Sequence, residues 1–417
     1  MKITKKVINN IPVTILKTNK FKSVTGTIYF KSPATKKNIT YRRMLRNILM
    51  ESCNKYDTHE KLYINSLENY DSYYSSSAGR YGNYIINSFT FASLIDKYTK
   101  EGNLNNVINT FCEIIFNPLI KNKGFDNDTF DIIKKTYRSS LEKIKEDSSS
   151  YAERMVLKNL NQKKAYTFMS EIEYLDEITP KSLYDEYVYM MENSEVELII
   201  SGDIDENDEI ISKITSRIKE NKKYSNDLII KNDDECDNLI IKSDVGYGTQ
   251  NILTIVMYLK NISDFELNYV APIYRIILGG ASGARLFDTI REKYSLAYYV
   301  FARLEKDDSL MQVIMGIEKE NYEKAKNLCF DVIKSMNKIS EKEVREAKKT
   351  IITSLLDSQD SILNLTSRQH NANLFNLPDI DTFINNLNKV NKSDVENFAN
   401  KLKPNLCYFL KGESSNE

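Results

Sequence analysis

The sequence predicts an α+β protein of two homologous domains, each roughly 200 residues long with a mainly antiparallel sheet and helices on one face. Two observations carry that expectation. The first is internal repetition: around Lys134 the chain reads KKTYRSSLEKIKEDSSSYAER, and around Lys348 it reads KKTIITSLLDSQDSILNLTSR. At an offset of 348 − 134 = 214, Lys-Lys-Thr, Ser140/Ser354, Leu141/Leu355 and Arg154/Arg368 fall in register. Lys181-Ser182 recurs as Lys392-Ser393, offset 211, and VELIISG ending at Gly202 recurs as LCYFLKG ending at Gly412, offset 210. Small loop insertions produce a drift of this size. The second observation is that both halves run through the same order of elements.

Each half opens with strand-like alternation, Val13 to Leu16 and Thr25 to Phe30 in the first, Leu239 to Lys242 and Asn251 to Leu259 in the second. Helical stretches follow at Arg42 to Met50 and Leu267 to Leu278. Next come a strand (Tyr84 to Ala92; Ser309 to Gly316) and a helix (Leu104 to Phe116; Asn321 to Met336). A long charged helix starts at Asp126 in one half and at the capping-box pattern Ser340-Glu341-Lys342-Glu343 in the other. Pro180 and Asn391 mark the starts of the last helices, each followed by a closing strand. The expected division is therefore residues 1–215, a polar linker 216–238, and residues 239–417.

Composition narrows the chemistry. The chain has 417 residues, with 58 Lys+Arg and 58 Asp+Glu, so no global field draws nucleic acid or an acidic substrate. Hydrophobic residues make up 41% and charged residues 28%, as in ordinary globular proteins. No apolar run approaches the ~20 residues of a membrane span. Met1 to Lys20 lacks an apolar signal core, so a cytoplasmic chain is expected. The five cysteines are scattered and odd in number, which argues against a zinc cluster or a disulfide framework and for reduced, mostly buried thiols. Only two histidines occur, His59 and His370. Tyr is abundant (27) and Trp absent; the run YDSYYSSSAGRYGNY from Tyr70 suits half-buried strand and turn positions and could also line a peptide chamber.

The most informative stretch is LGGASGARLFDTIREKYSLAYYVFA, Leu278 to Ala302. Small residues Gly279 to Ala284 predict a tight turn. An amphipathic helix follows, with Leu286, Phe287 and Ile290 on one side, and then a strand from Leu296 to Phe301. No P-loop Lys-Ser/Thr and no Rossmann glycine pattern accompany the glycines, so nucleotide binding is not expected.

This stretch resembles the pitrilysin/insulinase/mitochondrial processing peptidase family. A Gly-rich turn, an Arg-Leu-Phe segment, an Arg-Glu-Lys segment and Leu-Ala-Tyr recur in the second domain of that family's two-domain units. The match is specific over about 25 residues, and the duplicated organisation extends it over the whole chain. The resemblance implies half of a clam-shell chamber, since family members join two such units. It also implies where a zinc site would lie: a His-x-x-Glu-His motif on the first helix of the first domain, two His holding the metal and the Glu acting as general base. Aligned on Ser52-Cys53-Asn54-Lys55-Tyr56, the two His positions here are Arg43 and Asn47 and the Glu position is Arg46. A guanidinium is a fixed cation and repels a metal. The distal Glu ligand maps near Leu141 or Glu142. His59 and His370 read as ordinary helix residues without partner ligands. No metal and no cofactor is expected on this chain, and zinc is expected in a partner.

By the same resemblance, an Arg and a Tyr seven residues apart reach the zinc site of the paired unit and bind the substrate carbonyl and developing oxyanion. Arg291 and Tyr298 stand at that spacing, 298 − 291 = 7. Both are good donors where negative charge develops. Tyr299 would face the other side of a strand. The resemblance points first to a zinc-less subunit of a heterodimeric bacterial metallopeptidase, with a zinc-bearing homologous partner (or a homodimer) and a peptide or unfolded polypeptide as substrate. The alternative is a catalytically inactive structural or peptide-binding homologue, a scaffold in a maturation complex. An independent enzyme using another nucleophile has no nucleophile elbow or Cys/His signature to support it.

Overall fold

The computed structural model describes residues 1–204, 208–225, 227–280 and 282–413. Asn226 in the expected linker and Ala281 in the Gly-rich turn lie outside the described residues. The first half of the chain supplies strands β1 (Lys2–Ile8), β2 (Ile11–Lys17), β3 (Ser23–Pro33), β4 (Tyr73–Tyr81), β5 (Tyr84–Leu94), the short pair β6 (Ile120–Lys121) and β7 (Gly124–Phe125), and β8 (Glu195–Gly202). Its helices are α1 (Lys36–Leu49), α2 (His59–Glu68), α3 (Asn103–Phe116), α4 (Asn127–Glu142), α5 (Ser148–Lys158), α6 (Ile172–Asp176), α7 (Pro180–Asn193) and α8 (Asp208–Thr215). The second half supplies β9 (Ile240–Val245), β10 (Asn251–Tyr258), β11 (Ala297–Glu305), β12 (Leu310–Ile317) and β13 (Pro404–Lys411). Its α-helices are α9 (Ala271–Gly279), α10 (Tyr322–Ser335), α11 (Glu341–Asp357), α12 (Ile362–Leu374), α13 (Ile380–Lys389) and α14 (Lys392–Lys401).

The α+β class is realised in two compact units. The first holds a sheet ordered β1-β2-β8-β3-β5-β4, the second a sheet ordered β11-β12-β10-β13-β9. Without β1 the first order is β2-β8-β3-β5-β4, and the second read backwards is β9-β13-β10-β12-β11. In each sheet one pair is parallel, β2 with β8 and β13 with β9, and the other pairs are antiparallel. Two sheets sharing this unusual placement of a single parallel pair are a duplication at the level of topology.

Local chemistry sets the elements. Asn9 and Asn10 both take positive φ, 51° and 63°, the geometry of a tight primed hairpin turn between β1 and β2. At the start of α1 the Thr35 hydroxyl accepts the Asn38 N–H at 3.0 Å, and the Asn38 side chain accepts the Thr35 N–H at 2.8 Å. In β8, Val196, Leu198 and Ile200 point with Ile28 and Phe30 of β3 into one core, against Met44, Leu45 and Ile48 of α1 and Ile108 and Phe111 of α3. Ile199 faces the opposite side, with Leu16, Tyr29 and Ile86, and there Leu365 of α12 covers it.

That second layer crosses the sequence repeat. The first unit comprises residues 1–141, 168–228 and 358–377; the second comprises 142–167, 229–357 and 378–417. Helix α12, from the second half of the chain, lies on β3 and β8 of the first unit. Its counterpart α5, from the first half, lies on β10 and β13 of the second. Each sheet thus packs against helices of its own half and also against one helix drawn from the other half. Among the described residues, no helix is long and apolar enough to cross a membrane.

Candidate functional site

Helix α1 displays the positions where the resemblance puts zinc ligands. Arg43 Nη1 donates to Ser170 Oγ at 3.0 Å, and Tyr137 of α4 donates its hydroxyl to the same oxygen at 2.6 Å. Arg46 Nη1 donates to the Ser76 carbonyl of β4 at 3.3 Å, while its Nε is buried without a hydrogen-bond partner. Asn47 is half-buried and its carbonyl accepts the Met50 N–H at 3.1 Å. The α4 residue brought into this network is Tyr137, one turn before Leu141, which packs against the core instead. Two guanidinium groups and an amide do not fit zinc: none offers the imidazole or carboxylate lone pair the metal needs, and the two cations oppose it. Among the described residues, no group of three or more His, Cys, Asp or Glu is placed to hold a metal ion.

One residue of this helix escaped the sequence reading. Arg42 is wholly buried and pairs through Nε with Glu186 of α7, while Nη2 donates to Ser32 Oγ of β3 at 3.2 Å. Burial pulls its pKa below the usual arginine range, against the opposing field of Glu186. A hydrophobic-moment reading places such a residue on the wet side of a helix, and only the distant Glu186 could have flagged it.

The histidines are apart from this helix face. His59 is the first residue of α2 behind the Thr58 N-cap, is exposed, and approaches Glu51 at 3.4 Å. His370, on α12, is buried: its ring stacks on Tyr29 with centroids 3.7 Å apart, its Nδ1 bonds Glu197, and its Nε2 has no partner. The Glu197 carboxylate also accepts from Asn373 at 3.0 Å.

The second half of the motif separates into a structural part and an open part. Gly279 ends α9 against β11, and a methyl group there would stand 2.8 Å from the Ala302 nitrogen and 3.0 Å from Leu286 Cδ1. Gly279→Ala is expected to cost about 1–3 kcal/mol through forced displacement, read as a lower midpoint in urea. Gly283 has φ +84°, which a side chain rarely adopts. Arg285 is saturated. Its Nε and Nη2 fork onto Glu343 at 2.6 and 3.1 Å, and further bonds reach the Ser335 and Lys338 carbonyls at 2.7 and 2.8 Å. The expected capping box is present beside it, with Ser340 N donating to Glu343 Oε2 at 2.7 Å and Glu343 N to Ser340 Oγ at 3.2 Å.

Burial alone would raise the Glu343 pKa, but the Arg285 and Ser340 hydrogen bonds outweigh it and bring it down to about 2. A depressed carboxyl stabilises the fold above its unfolded value near 4.5 and loses that stabilisation as pH falls through about 2. Glu343→Gln is accordingly expected to cost about 2 kcal/mol near neutral pH. In urea melts the gap to wild type should narrow progressively below pH 4.5. A gap independent of pH would mean that the ion pair contributes nothing.

Arg291 and Tyr298 form the open part. Arg291 sits on a π-helical turn, Phe287–Lys293, with its side chain 47% exposed, its guanidinium 5.0 Å above the Phe287 ring and its Nε 4.0 Å from Glu292. The left-handed Ser295 ends that turn, donating to the Arg291 carbonyl at 3.1 Å and sending the chain into β11. Tyr298 follows at a bulge, because Ala297 opposes Ile317 while Tyr299 opposes Gly316. It is 62% exposed and donates its hydroxyl to Glu318. No hydrogen bond or ion pair joins Arg291 to Tyr298 among the described residues. Tyr299 lies with Phe301, Arg303 and Thr254 in a groove of about 400 Å³ that Ala152 and Glu153 of α5 also border.

Comparison with known proteins gives this arrangement a context. Residues 177–351 match the family model described as the Peptidase M16 inactive domain. A Bacillus subtilis protein described as "Probable inactive metalloprotease YmfF" is 26% identical over 410 residues, covering 95% of each chain. Among solved structures, a conserved protein from Enterococcus faecalis superposes with a TM-score of 0.90 at 20% identity over 100% of both chains. The periplasmic protease PqqL from Escherichia coli gives a TM-score of 0.71 at 12% identity, covering 99% of this chain but 47% of PqqL. With a duplicated α+β fold over its whole length and a family-model match across residues 177–351, the chain is similar to the pitrilysin/insulinase (M16) peptidases, and the relatives it matches include one described as probably inactive.

Proposed function

We propose that this chain is the zinc-less half of a paired peptide-processing metallopeptidase. It supplies Arg291 and Tyr298 to a zinc site carried by a homologous subunit. The observation that supports this reading is the contrast within one motif: Arg285 is locked into five hydrogen bonds, whereas Arg291 and Tyr298 are left at the surface. Bonding and burial thus separate the arginine that holds the fold from two side chains that remain accessible to a partner. The match to about half of PqqL supports a functional particle of two such units. Substrates are peptides or unfolded segments that fit the shared chamber, and the groove beside Tyr299 and Phe301 forms part of its wall. We place the chain in the cytoplasm, in keeping with five unpaired cysteines of which four are buried.

The test is reconstitution. Alone, the purified chain binds no stoichiometric zinc and cleaves no peptide; with its zinc-bearing partner, cleavage appears. Metal analysis and a fluorogenic peptide assay read both. A zinc-bearing homologue that reaches the same turnover without this chain would overturn the proposal. The scaffold reading would then stand in its place.

A further inference from the structure

The sheet of the second unit ends on β9, which has no outer neighbour among the described residues. Its equivalent in the first unit, β2, is covered: β1 lies antiparallel against it from Lys2↔Lys17 to Ile8↔Ile11. The fold therefore contains a strand position that is filled in one copy and open in the other. The open one is apolar, with Ile240, Ile241 and Val245 exposed at 45%, 52% and 63%. Beside it lies a groove of about 300 Å³ floored by Tyr322 and Phe409, whose rings stack 4.4 Å apart. Lys242, Lys319 and Lys411 border the groove, and none makes an ion pair among the described residues. The carboxylate of β9 itself, Asp244, is engaged by the Tyr408 hydroxyl at 3.0 Å. In a chain of zero formal net charge, three unneutralised lysines around an apolar strand edge are a local feature with a definite complement.

We propose that β9 accepts an extended acidic segment of a partner polypeptide, which adds antiparallel as an outer strand in the way β1 adds to β2. Main-chain hydrogen bonds would supply affinity, an apolar side chain would sit on Tyr322 and Phe409, and carboxylates would face Lys319 and Lys411. A second copy of this chain is a poor occupant. Its edge strands β1 and β4 have basic residues and no carboxylate, while β9 and β11 have one each, Asp244 and Glu305. The groove is lined by neither Arg291 nor Tyr298, although Lys319 directly follows Glu318, the acceptor of the Tyr298 hydroxyl, and the proposal stands whether or not those two residues serve catalysis.

The experiment uses the full chain and three labelled ten-residue peptides: one alternating Val and Glu, one alternating Val and Lys, and an acidic one with Pro at alternate positions. Fluorescence anisotropy at low salt should show the Val/Glu peptide binding at least ~10-fold tighter than the Val/Lys peptide. Lys319→Glu/Lys411→Glu should weaken it about 10-fold or more. Lys319→Gln/Lys411→Gln serves if the first pair disturbs folding, and should weaken it in the same direction. Hydrogen exchange on the wild-type complex should slow at residues 240–245. Equal binding of the Pro peptide would reduce the site to a plain anion patch and overturn strand addition. Unchanged affinity in both lysine variants, or protection at β4 or β11 instead, would overturn it as well.

Discussion

Glu186→Ala should destabilise the folded chain by about 3–5 kcal/mol, a large share of the ~5–15 kcal/mol that holds a typical domain. The size follows from what is left behind. Arg42 has no exposed surface and Glu186 is only 18% exposed, so water replaces the lost carboxylate poorly. Of its other donors, Nη2 has only the Ser32 hydroxyl and Nη1 has none. The guanidinium cannot shed its proton to escape. Removing both charges is a different experiment: Arg42→Met with Glu186→Leu should recover most of the loss, because an apolar pair of similar volume avoids desolvating two ions. Urea denaturation of the two single variants and the double variant forms the cycle. A loss below about 1 kcal/mol for Glu186→Ala would show that the pair is incidental to how α1 is held.

Arg42 also marks where sequence reading stops. The duplication was legible because it is written in residue identity and spacing, and the helix caps at Thr35 and Ser340 were legible because they are local. The pairing of Arg42 with Glu186 joins residues 144 apart, and nothing near either one announces it. The exchange of α5 and α12 was invisible for a deeper reason. Arg154 and Arg368 fall in register because the two helices are equivalent, and swapping equivalent helices changes which copy of the sheet each touches without changing the residues that touch. Strand β1 was hidden by its lysines, which belong on a partly solvated edge but blur the period-2 pattern. The candidate site divides the same way. The resemblance points to Arg43, Arg46 and Asn47 on one helix, whereas the Ser170 and Tyr137 contacts needed the fold. The same fold separates Arg285 from Arg291, two arginines six positions apart that look alike in sequence: one reaches the end of α10 and the start of α11, while the hydrogen-bond and charge contacts of the other, among the described residues, stay within its own turn.

That separation sets the second large effect. In the reconstituted pair, Arg291→Ala should lower kcat/KM by about 10²–10³-fold, the scale of losing one preorganised donor to a developing oxyanion. Tyr298→Phe keeps the ring and removes only the hydroxyl, so its loss should be smaller, about 10–10²-fold, and should fall mainly on kcat. Neither side chain is packed in a core, so assembly and thermal stability should stay near wild type. Two controls give the result its meaning. Tyr299→Phe alters a neighbouring ring that lies in the groove rather than at the bulge, and should leave kcat nearly unchanged. Arg285→Ala should act through stability, since it strips the cap from the α10–α11 junction. If Arg291→Ala and Tyr298→Phe both retain full turnover in a verified complex, the two residues are ordinary surface and the chain contributes its chamber wall alone. If Arg291→Ala loses activity only in step with melting temperature, it belongs with Arg285 as a structural element. A loss of turnover at constant stability is the outcome that assigns the pair to chemistry performed on a zinc this chain does not hold.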